Sequence, residues 1–533
     1  MQKFFNTAGP MILEDHYTIP PLQRWDFEEV LSLITQKRYF VLHAPRQTGK
    51  TSALLQLMHY LNKEGKYKTL YVNIETAQTA REDVDRGIRT VMSALAKQEG
   101  VSLQEDYIQQ HWHEISEQNP SDQALNTLLA LWAQNSEKPI VLLLDEVDAL
   151  VGDTLISVLR QIRAGYGDRP RSFPHSIILC GVRDVRDYRI HSGKSNEIIT
   201  GGSAFNIKAE SLRLGNFSQS EIETLYSQHT EATGQEFVRE IYPYVYELTG
   251  GQPWLINALA YEACFRMKEN RDRSRTITKE IIEKAKENLI LRRDTHIDQL
   301  LYKLSEERVQ RVIEPILQNE GSTDGMKEED VQYLIDLGLI TRKTNKKVSI
   351  ANTIYQEVIP REITSGLQYG IHQDNNWYIE SNTGKLDFVK LLKAFQEFYR
   401  ENSEHWLKGM QYREAGSQLL LQAFLQRIIN GGGMIDREYG LGRRRTDLFI
   451  RWFYDTKDRS KIQKIVVECK LIHKSKEKTL AEGLQQTLDY KDKCAGEEAY
   501  LILFDKAENK SWQEKTYLEN HFYQETEIIV LGM

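Results

Sequence analysis

The run Val41-Leu-His-Ala-Pro-Arg-Gln-Thr-Gly-Lys-Thr51 constrains this chain of 533 residues more than any other stretch. An apolar segment from Tyr39 to Leu42 leads through a tight polar loop into the helical pattern Ser52 to Leu61. A loop that cradles phosphates bends backbone N–H groups around the oxyanions and sends a lysine to the terminal phosphates. It also offers a hydroxyl to Mg2+, and all three sit at the N-terminus of a helix. Ala44, Arg46, Gln47, Thr48, Gly49, Lys50, Thr51 and Ser52 are therefore the candidate nucleotide-binding residues, with Thr51 a candidate metal ligand. Ala44 stands where such loops open on a glycine. That position shapes the start of the loop, so nucleotide binding is expected to survive. The alternative is a coincidental glycine–lysine turn.

Length and composition bound the rest. A chain of this size is expected to hold two to four domains. Its net charge of -7 argues against a nucleic-acid coat protein but leaves room for a local basic groove. Cys180, Cys264, Cys469 and Cys494 are scattered with no CxxC pair, the usage of a reducing compartment, and give neither a zinc site nor a disulfide framework. The start lacks the apolar run of a signal peptide, and no stretch reaches the length of a bilayer span. A cytoplasmic protein without a membrane partner is expected.

Residues 22 to 36 read as an amphipathic helix, Thr69 to Ile74 as a buried strand, and Ser121 to Gln134 as another helix. Pro139-Ile-Val-Leu-Leu-Leu-Asp-Glu-Val-Asp148 is an apolar strand closed by acids. Such a strand delivers Asp145 to its carboxyl end as a Mg2+ ligand, with Glu146 beside it to polarise the attacking water. A buried strand meeting a solvated acidic turn is the alternative. Ser176 to Cys180 is a further strand. Strands and helices alternating with long crossovers imply a parallel sheet with its ligands at the strands' carboxyl ends.

These stretches resemble the Walker A motif (Ala44 to Thr51) and the Asp-Glu Walker B motif (Leu142 to Asp148) of AAA-like ATPases. Leu248-Thr-Gly-Gly-Gln-Pro-Trp254 is similar to the GxP element of the helical lid in archaeal-type and signal-transducing members. The resemblance spans residues 10 to about 290. It implies ATP and Mg2+ as cofactors and a homo-oligomer. Arg183 stands where the family carries a small polar sensor residue. Arg160, Arg163 and Arg169 are either fingers for a neighbouring subunit's nucleotide or a solvated basic face.

Beyond Ile297 the pattern changes. Asp330 to Gly338 is an apolar-periodic helix, and Ile340 to Ile350 reads as strand, basic turn and strand, which resembles a winged helix. Arg342, Lys343, Lys346 and Lys347 would sit on the wing. Contact with DNA and a plain packing role are both open.

The last part, after a polar boundary from Gln373 to Lys385, carries a different chemistry. Helical patterns cover Leu386 to Glu401 and Glu414 to Ile429. Met434 to Tyr439 and Thr446 to Trp452 form a hairpin around an arginine-rich turn, and Lys464-Ile-Val-Val-Glu-Cys-Lys470 is a buried strand. Side chains alternate along a strand, so Glu468 and Lys470 share a face. Asp447 lies near the start of the adjoining strand. Two carboxylates and a lysine can hold one or two Mg2+ ions and orient a water against a phosphodiester.

This arrangement resembles the PD-(D/E)XK nuclease superfamily. Asp447 matches the hairpin acid and Glu468-Cys-Lys470 the ExK, while the proline of the family name is absent. Glu414 matches an added acidic metal ligand on the preceding helix, and Gln486 and Tyr490 match the QxxxY helix of the RecB-like branch. Catalytic roles then fall to Lys470, Glu468 and Asp447, and metal binding to Glu414, Asp447 and Glu468, with Mg2+ or Mn2+. Arg443, Arg444, Arg445, His473, Lys474 and Lys476 would grip phosphates.

The expected fold is therefore an α/β multidomain chain: a P-loop parallel-sheet ATPase core (1–215), a helical lid (216–295), a winged-helix-like linker (296–365) and an α/β restriction-endonuclease-like nuclease domain (366–533). The expected function is a Mg2+-dependent nuclease, with DNA ahead of RNA, regulated by ATP and suited to defence against phage or mobile elements. The alternative is a nucleotide-driven oligomerisation switch whose last domain binds nucleic acid without cutting.

Overall fold

A computed structural model describes residues 3–184, 189–191, 198–200, 205–292, 295–317, 326–342, 347–363, 378–409, 416–429, 433–441, 444–455, 460–472, 475–507 and 509–533, several of them, Asp447 included, by backbone alone. The chain divides into two compact units, Met1–Asp298 with Lys327–Arg342, and Gln299–Met326 with Lys343–Met533. The expected winged-helix-like segment is thus shared between them.

The first unit is built on strands β1 (Tyr39–His43), β2 (Lys68–Asn73), β3 (Ile140–Asp145), β4 (Ser176–Gly181) and β5 (Lys208–Arg213). They form one parallel sheet in the order β2-β3-β4-β1-β5. Helices α1 (Phe27–Thr35) and α2 (Lys50–Glu64) cover one face, where Ile34, Leu54 and Leu57 meet Leu42, Leu143 and Ile178. Helices α3 (Val84–Ser102), α4 (Tyr107–Gln118), α5 (Ser121–Asn135) and α6 (Gly152–Ala164) cover the other, where Leu95, Leu128 and Leu159 meet Val41, Leu142 and Leu179. Covering both faces is why β3 reads as an unbroken apolar run. β5 is an edge strand and needs no such run, so its sequence, Lys-Ala-Glu-Ser-Leu-Arg, gave no strand signal.

The helix expected over 22–36 begins only at Phe27. Asp26 caps it by accepting from the Glu29 N–H at 2.9 Å, and Pro21–Arg24 forms a separate 3-10 turn. A proline and a good capping residue made the helix start later than its apolar periodicity implied.

Among the described residues, the helices α7 (Gln219–Thr233), α8 (Ile241–Thr249), α9 (Pro253–Tyr261) and α10 (Lys279–Arg292) follow the core. α7 starts on a reciprocal Ser218–Glu221 capping box. α9 is capped by Gln252, whose side-chain oxygen accepts from Leu255 N at 2.6 Å, with Pro253 in the first turn. Between α8 and α9, Gly250 and Gly251 have φ of 58° and 77°. The Gly251 C=O closes on the root of α7, where Phe217 N donates to Gly251 O at 2.8 Å, while Gly251 N donates to Thr249 Oγ1 at 3.2 Å. Also in this unit, α11 (Glu328–Leu337) ends at Gly338 with φ of 76°.

The second unit carries a six-stranded mixed sheet of β6 (Gly433–Leu441), β7 (Arg444–Phe453), β8 (Ile462–Leu471), β9 (Glu498–Phe504), β10 (Tyr517–Tyr523) and β11 (Thr526–Gly532). Its order is β6-β7-β8-β9-β11-β10, antiparallel at both ends and parallel across β8-β9-β11. α12 (Phe388–Gly409) and α13 (Gly416–Ile429) pack Leu391, Phe395 and Leu420 against Ile465, Val467 and Ile502. On the opposite face α14 (Lys476–Cys494) packs Leu484 and Leu488 against Leu501 and Leu503. Strand alternation thus divides β9 between two cores.

A Cβ added at Gly251 would overlap the Phe217 carbonyl, in a left-handed conformation that already disfavours L side chains. We expect Gly251→Ala to lower unfolding stability by roughly 2–4 kcal/mol, checked by urea denaturation of the whole chain.

Candidate nucleotide site and a second acidic site

The chemistry of the first unit collects at the carboxyl ends of β1, β3 and β4. After β1 the chain turns through Ala44 to Gly49, with left-handed φ at Gln47 (57°) and Gly49 (95°), and enters α2 at Lys50. Ala44 N donates to Gly181 O at 3.2 Å, so the loop's opening is tied to the end of β4 without a glycine. Lys50 Nζ donates to Ala44 O at 2.8 Å and Pro45 O at 3.0 Å. This places the ammonium within the curl of the loop, where phosphate oxygens would replace the carbonyls. Thr48 is buried and donates to Pro45 O at 2.8 Å, whereas Arg46 and Gln47 are exposed. Ser52 accepts from Met11 N at 2.9 Å, which fastens the N-terminal segment to the first turn of α2.

Asp145, fully buried at the end of β3, accepts from Thr51 Oγ1 at 2.7 Å and from Tyr71 OH at 2.9 Å. A hydroxyl and a carboxylate in direct contact at a helix N-terminus are oxygen donors that would hold a hydrated Mg2+, so these residues fit that ion. Such an ion would neutralise charge on the phosphates. Glu146 takes a left-handed φ of 60°, and its N–H donates to Asp145 Oδ1 at 2.9 Å. Burial and the neighbouring Asp145 raise its pKa, against Lys50 and Arg46. A carboxyl held above its ordinary range is better matched to accepting a proton near neutrality.

Sequence reasoning missed three participants. Tyr71, at the sheet position next to β3, supplies Asp145's second donor. Asp148 accepts from the Val182 N–H, its Oδ1 is enclosed with no partner among the described residues, and burial pushes its pKa up to about 6. Arg24, freed from α1 by the Asp26 cap, donates to Thr48 O and to Gly215 O, the latter at 2.7 Å. Burial lowers its pKa to about 10, and Glu221 opposes this. Hydropathy could not have found any of them, because each acts through a partner far along the chain.

Arg183 lies just past β4, 3.8 Å from the buried Asp336 carboxylate of α11 and 5.0 Å over the Tyr333 ring. Arg169 is at the other end of the sheet. It donates to Lys37 O at 2.8 Å and lies 5.3 Å over Tyr39, which starts β1. It is therefore remote from its own phosphate loop.

In the second unit Glu468 is buried and Lys470 Nζ lies 2.8 Å from its Oε1. β8 turns Ile465, Val467 and Cys469 toward α12 and α13, which leaves Glu468 and Lys470 on the face that α14 covers. α14 carries Gln486, whose Oε1 is enclosed with no partner among the described residues, and the buried Tyr490. The register between β7 and β8 pairs Leu448 with Val467, so Asp447 and Glu468 each lie one residue beyond that pair along their own strands. The Asp447 side chain, Glu414, Arg443, His473 and Lys474 lie outside the described residues, as do Lys343 and Lys346. Among the described residues no cluster of three or more His, Cys, Asp or Glu side chains could hold a metal, and no helix is long and apolar enough to cross a membrane.

A parallel sheet that delivers a lysine-bearing loop and a buried aspartate to one edge defines a P-loop nucleotide hydrolase. The chain belongs to the AAA-like domain family, whose model matches residues 23–360, more than half of it. It is thus an AAA-like ATPase with an additional α/β region. Among solved structures it is similar to a Walker-type ATPase of Pyrococcus abyssi (14% identity, 67% of this chain and 99% of that one, TM-score 0.43). It is also similar to Cdc6p of Pyrobaculum aerophilum (13%, 67% and 97%, 0.35) and to the Thermotoga maritima RuvB Holliday junction branch migration motor (13%, 63% and 95%, 0.33). No curated protein matches the chain.

Removing the Asp145 charge should leave Thr51 without its ionised partner and weaken the metal site. We expect Asp145→Asn to lower ATP turnover at least roughly 10²-fold, measured as phosphate release at saturating ATP. For Asp148 the folded pKa of about 6 lies above the ordinary aspartate value of 3.8. The stability it contributes is present below pH 3.8 and lost as pH rises through 6. Asp148→Asn should therefore be more stable than the parent above pH 7, by roughly 1–2 kcal/mol, with the gap narrowing toward pH 4, read from urea denaturation across pH.

Proposed function

We propose that ATP binding and hydrolysis in the first unit control a Mg2+-dependent phosphodiesterase site in the second, with DNA as the preferred substrate. One observation carries the nuclease reading: Glu468 and Lys470 share the α14 face of β8, 2.8 Å apart, with Gln486 and Tyr490 on that helix. The ExK pair and the QxxxY helix, distant in sequence, thereby belong to one face of one sheet. The pairing of Leu448 with Val467, the residues next to Asp447 and Glu468, supports the same reading. A charged pair following the apolar run Ile465–Val467 of a central strand is costly unless it is used, because desolvation opposes it. Mn2+ would serve in place of Mg2+ at such an oxygen-lined site.

In this reading the residues divide the work. Glu468 and Asp447 would hold the metal, with Glu414 a further ligand, and the bound ion would supply charge neutralisation and an acidified water. Lys470 stabilises charge on the phosphate and holds the attacking water. Gln486 and Tyr490 position substrate or ligands. In the first unit Lys50 and the loop amides bind the phosphates, and Glu146 receives the proton of the attacking water. The arrangement suits an oligomer that gates cleavage by nucleotide state, in a setting such as defence against phage or mobile DNA.

The test is cleavage of single- and double-stranded DNA and RNA by the full-length protein with Mg2+, with and without ATP. Asp447→Ala and Lys470→Ala should each lower cleavage by about 10²-fold or more, and EDTA should abolish it. Lys50→Ala should remove the response to ATP. Normal cutting by the Asp447 and Lys470 variants would show the site is misplaced. Nucleotide-dependent oligomers with no cleavage under any condition would favour a non-cutting assembly switch.

A further inference from the structure

The phosphate loop is held from outside as well as from within. Arg24 Nη1 donates to Thr48 O, and Arg24 Nη2 donates to Gly215 O at 2.7 Å. Its guanidinium carbon lies 4.6 Å over the Phe217 ring. One loop residue earlier, Gln252 Nε2 approaches Gln47 O at 3.5 Å. The two donors come from two places, the 3-10 turn before α1 and the cap of α9, and Arg24 also reaches the connection into α7 at Gly215 O and Phe217.

Peptide planarity gives these contacts a consequence. In a trans peptide the C=O of one residue and the N–H of the next point in opposite directions. A donor that holds the Thr48 carbonyl outward therefore turns the Gly49 N–H inward, and one at the Gln47 carbonyl does the same for the Thr48 N–H. Those amides, flanked by left-handed Gln47 and Gly49, form the concave array of donors that binds anions. The fit at Gly49 is close. A Cβ there would lie 2.6 Å from Arg24 Nη1, so the same residue that needs a left-handed φ also makes room for the guanidinium.

We propose that Arg24 is a positioning residue for nucleotide binding: it fixes the Thr48–Gly49 peptide so that its amide faces the phosphates, and it ties that peptide to the root of the helical lid. Gly215 and Phe217 are the first residues of the lid connection, and Phe217 N is bonded to Gly251 O at 2.8 Å in the α8–α9 turn. A movement of the lid root therefore reaches the phosphate loop through one side chain. Arginine suits the role because its planar fork serves two carbonyls at once and stacks on a ring, which a lysine ammonium cannot reproduce.

The test uses the full-length protein and two variants, Arg24→Lys and Arg24→Ala. Affinity is measured by titration with a fluorescent ATP analogue, and KM and kcat come from steady-state phosphate release. Arg24→Lys keeps the charge but not the fork, so its Kd and KM for ATP should rise roughly tenfold while kcat stays within about threefold. Arg24→Ala should show a larger rise. If Arg24→Ala does not fold, Arg24→Lys alone decides the matter. A folded Arg24→Lys protein that binds ATP within twofold of the parent overturns the proposal, as does a loss confined to kcat. Failure of the parent protein itself to bind the analogue would instead count against the nucleotide site.

Discussion

Burial of the first sheet on both faces is the constraint on which the rest depends. Leu42, Val141, Leu143 and Ile178 face one layer of helices, and Val41, Leu142, Leu144 and Leu179 face the other. A charge in the middle of such a strand would be stranded in apolar surroundings. Polar groups are driven to the strand ends, and at the carboxyl edge they meet. Asp145 is the outcome: fully buried, yet satisfied by Thr51, Tyr71 and the Glu146 N–H. Those three donors join α2, β2 and the turn after β3 through one carboxylate. Burial also raises the pKa values of Tyr71, Glu146 and Asp148 and the thiol of Cys180, each with a contribution from a nearby acid. The edge therefore resists further ionisation and holds these groups toward their neutral forms, and the loop's lysine and amides sit beside it.

The second sheet meets the same physics with a different result. Ile465, Val467 and Cys469 on one side of β8 join a large apolar core, while Val466 packs with Phe449 and Tyr490 on the other. Glu468 and Lys470 extend that second side beyond Val466. There the charges neutralise one another instead of lying at an open edge, and the α14 residues beside them include the enclosed Gln486 oxygen. An ion pair left in such a place contributes little to stability.

The sequence by itself determined the elements whose chemistry is local. A glycine, lysine and threonine between an apolar strand and a helix can only bend one way, and an apolar run that stops at Asp145-Glu146 must deliver those acids to a strand end. The ExK spacing put Glu468 and Lys470 on one face for the same reason. Local signals failed where context replaces them: β5 is polar because it lies at an edge, and α1 starts late because Pro21 and Asp26 outweigh its periodicity. Only the tertiary structure decided what touches the loop. It brought Tyr71 to Asp145, Val182 to Asp148, and Arg24 to Thr48 and Gly215, across separations that no pattern of spacing encodes. Those contacts arise from sheet order and helix packing, which are set by burial of the whole core. The sequence thus determined which groups could bind a nucleotide, and the packing decided how they are held.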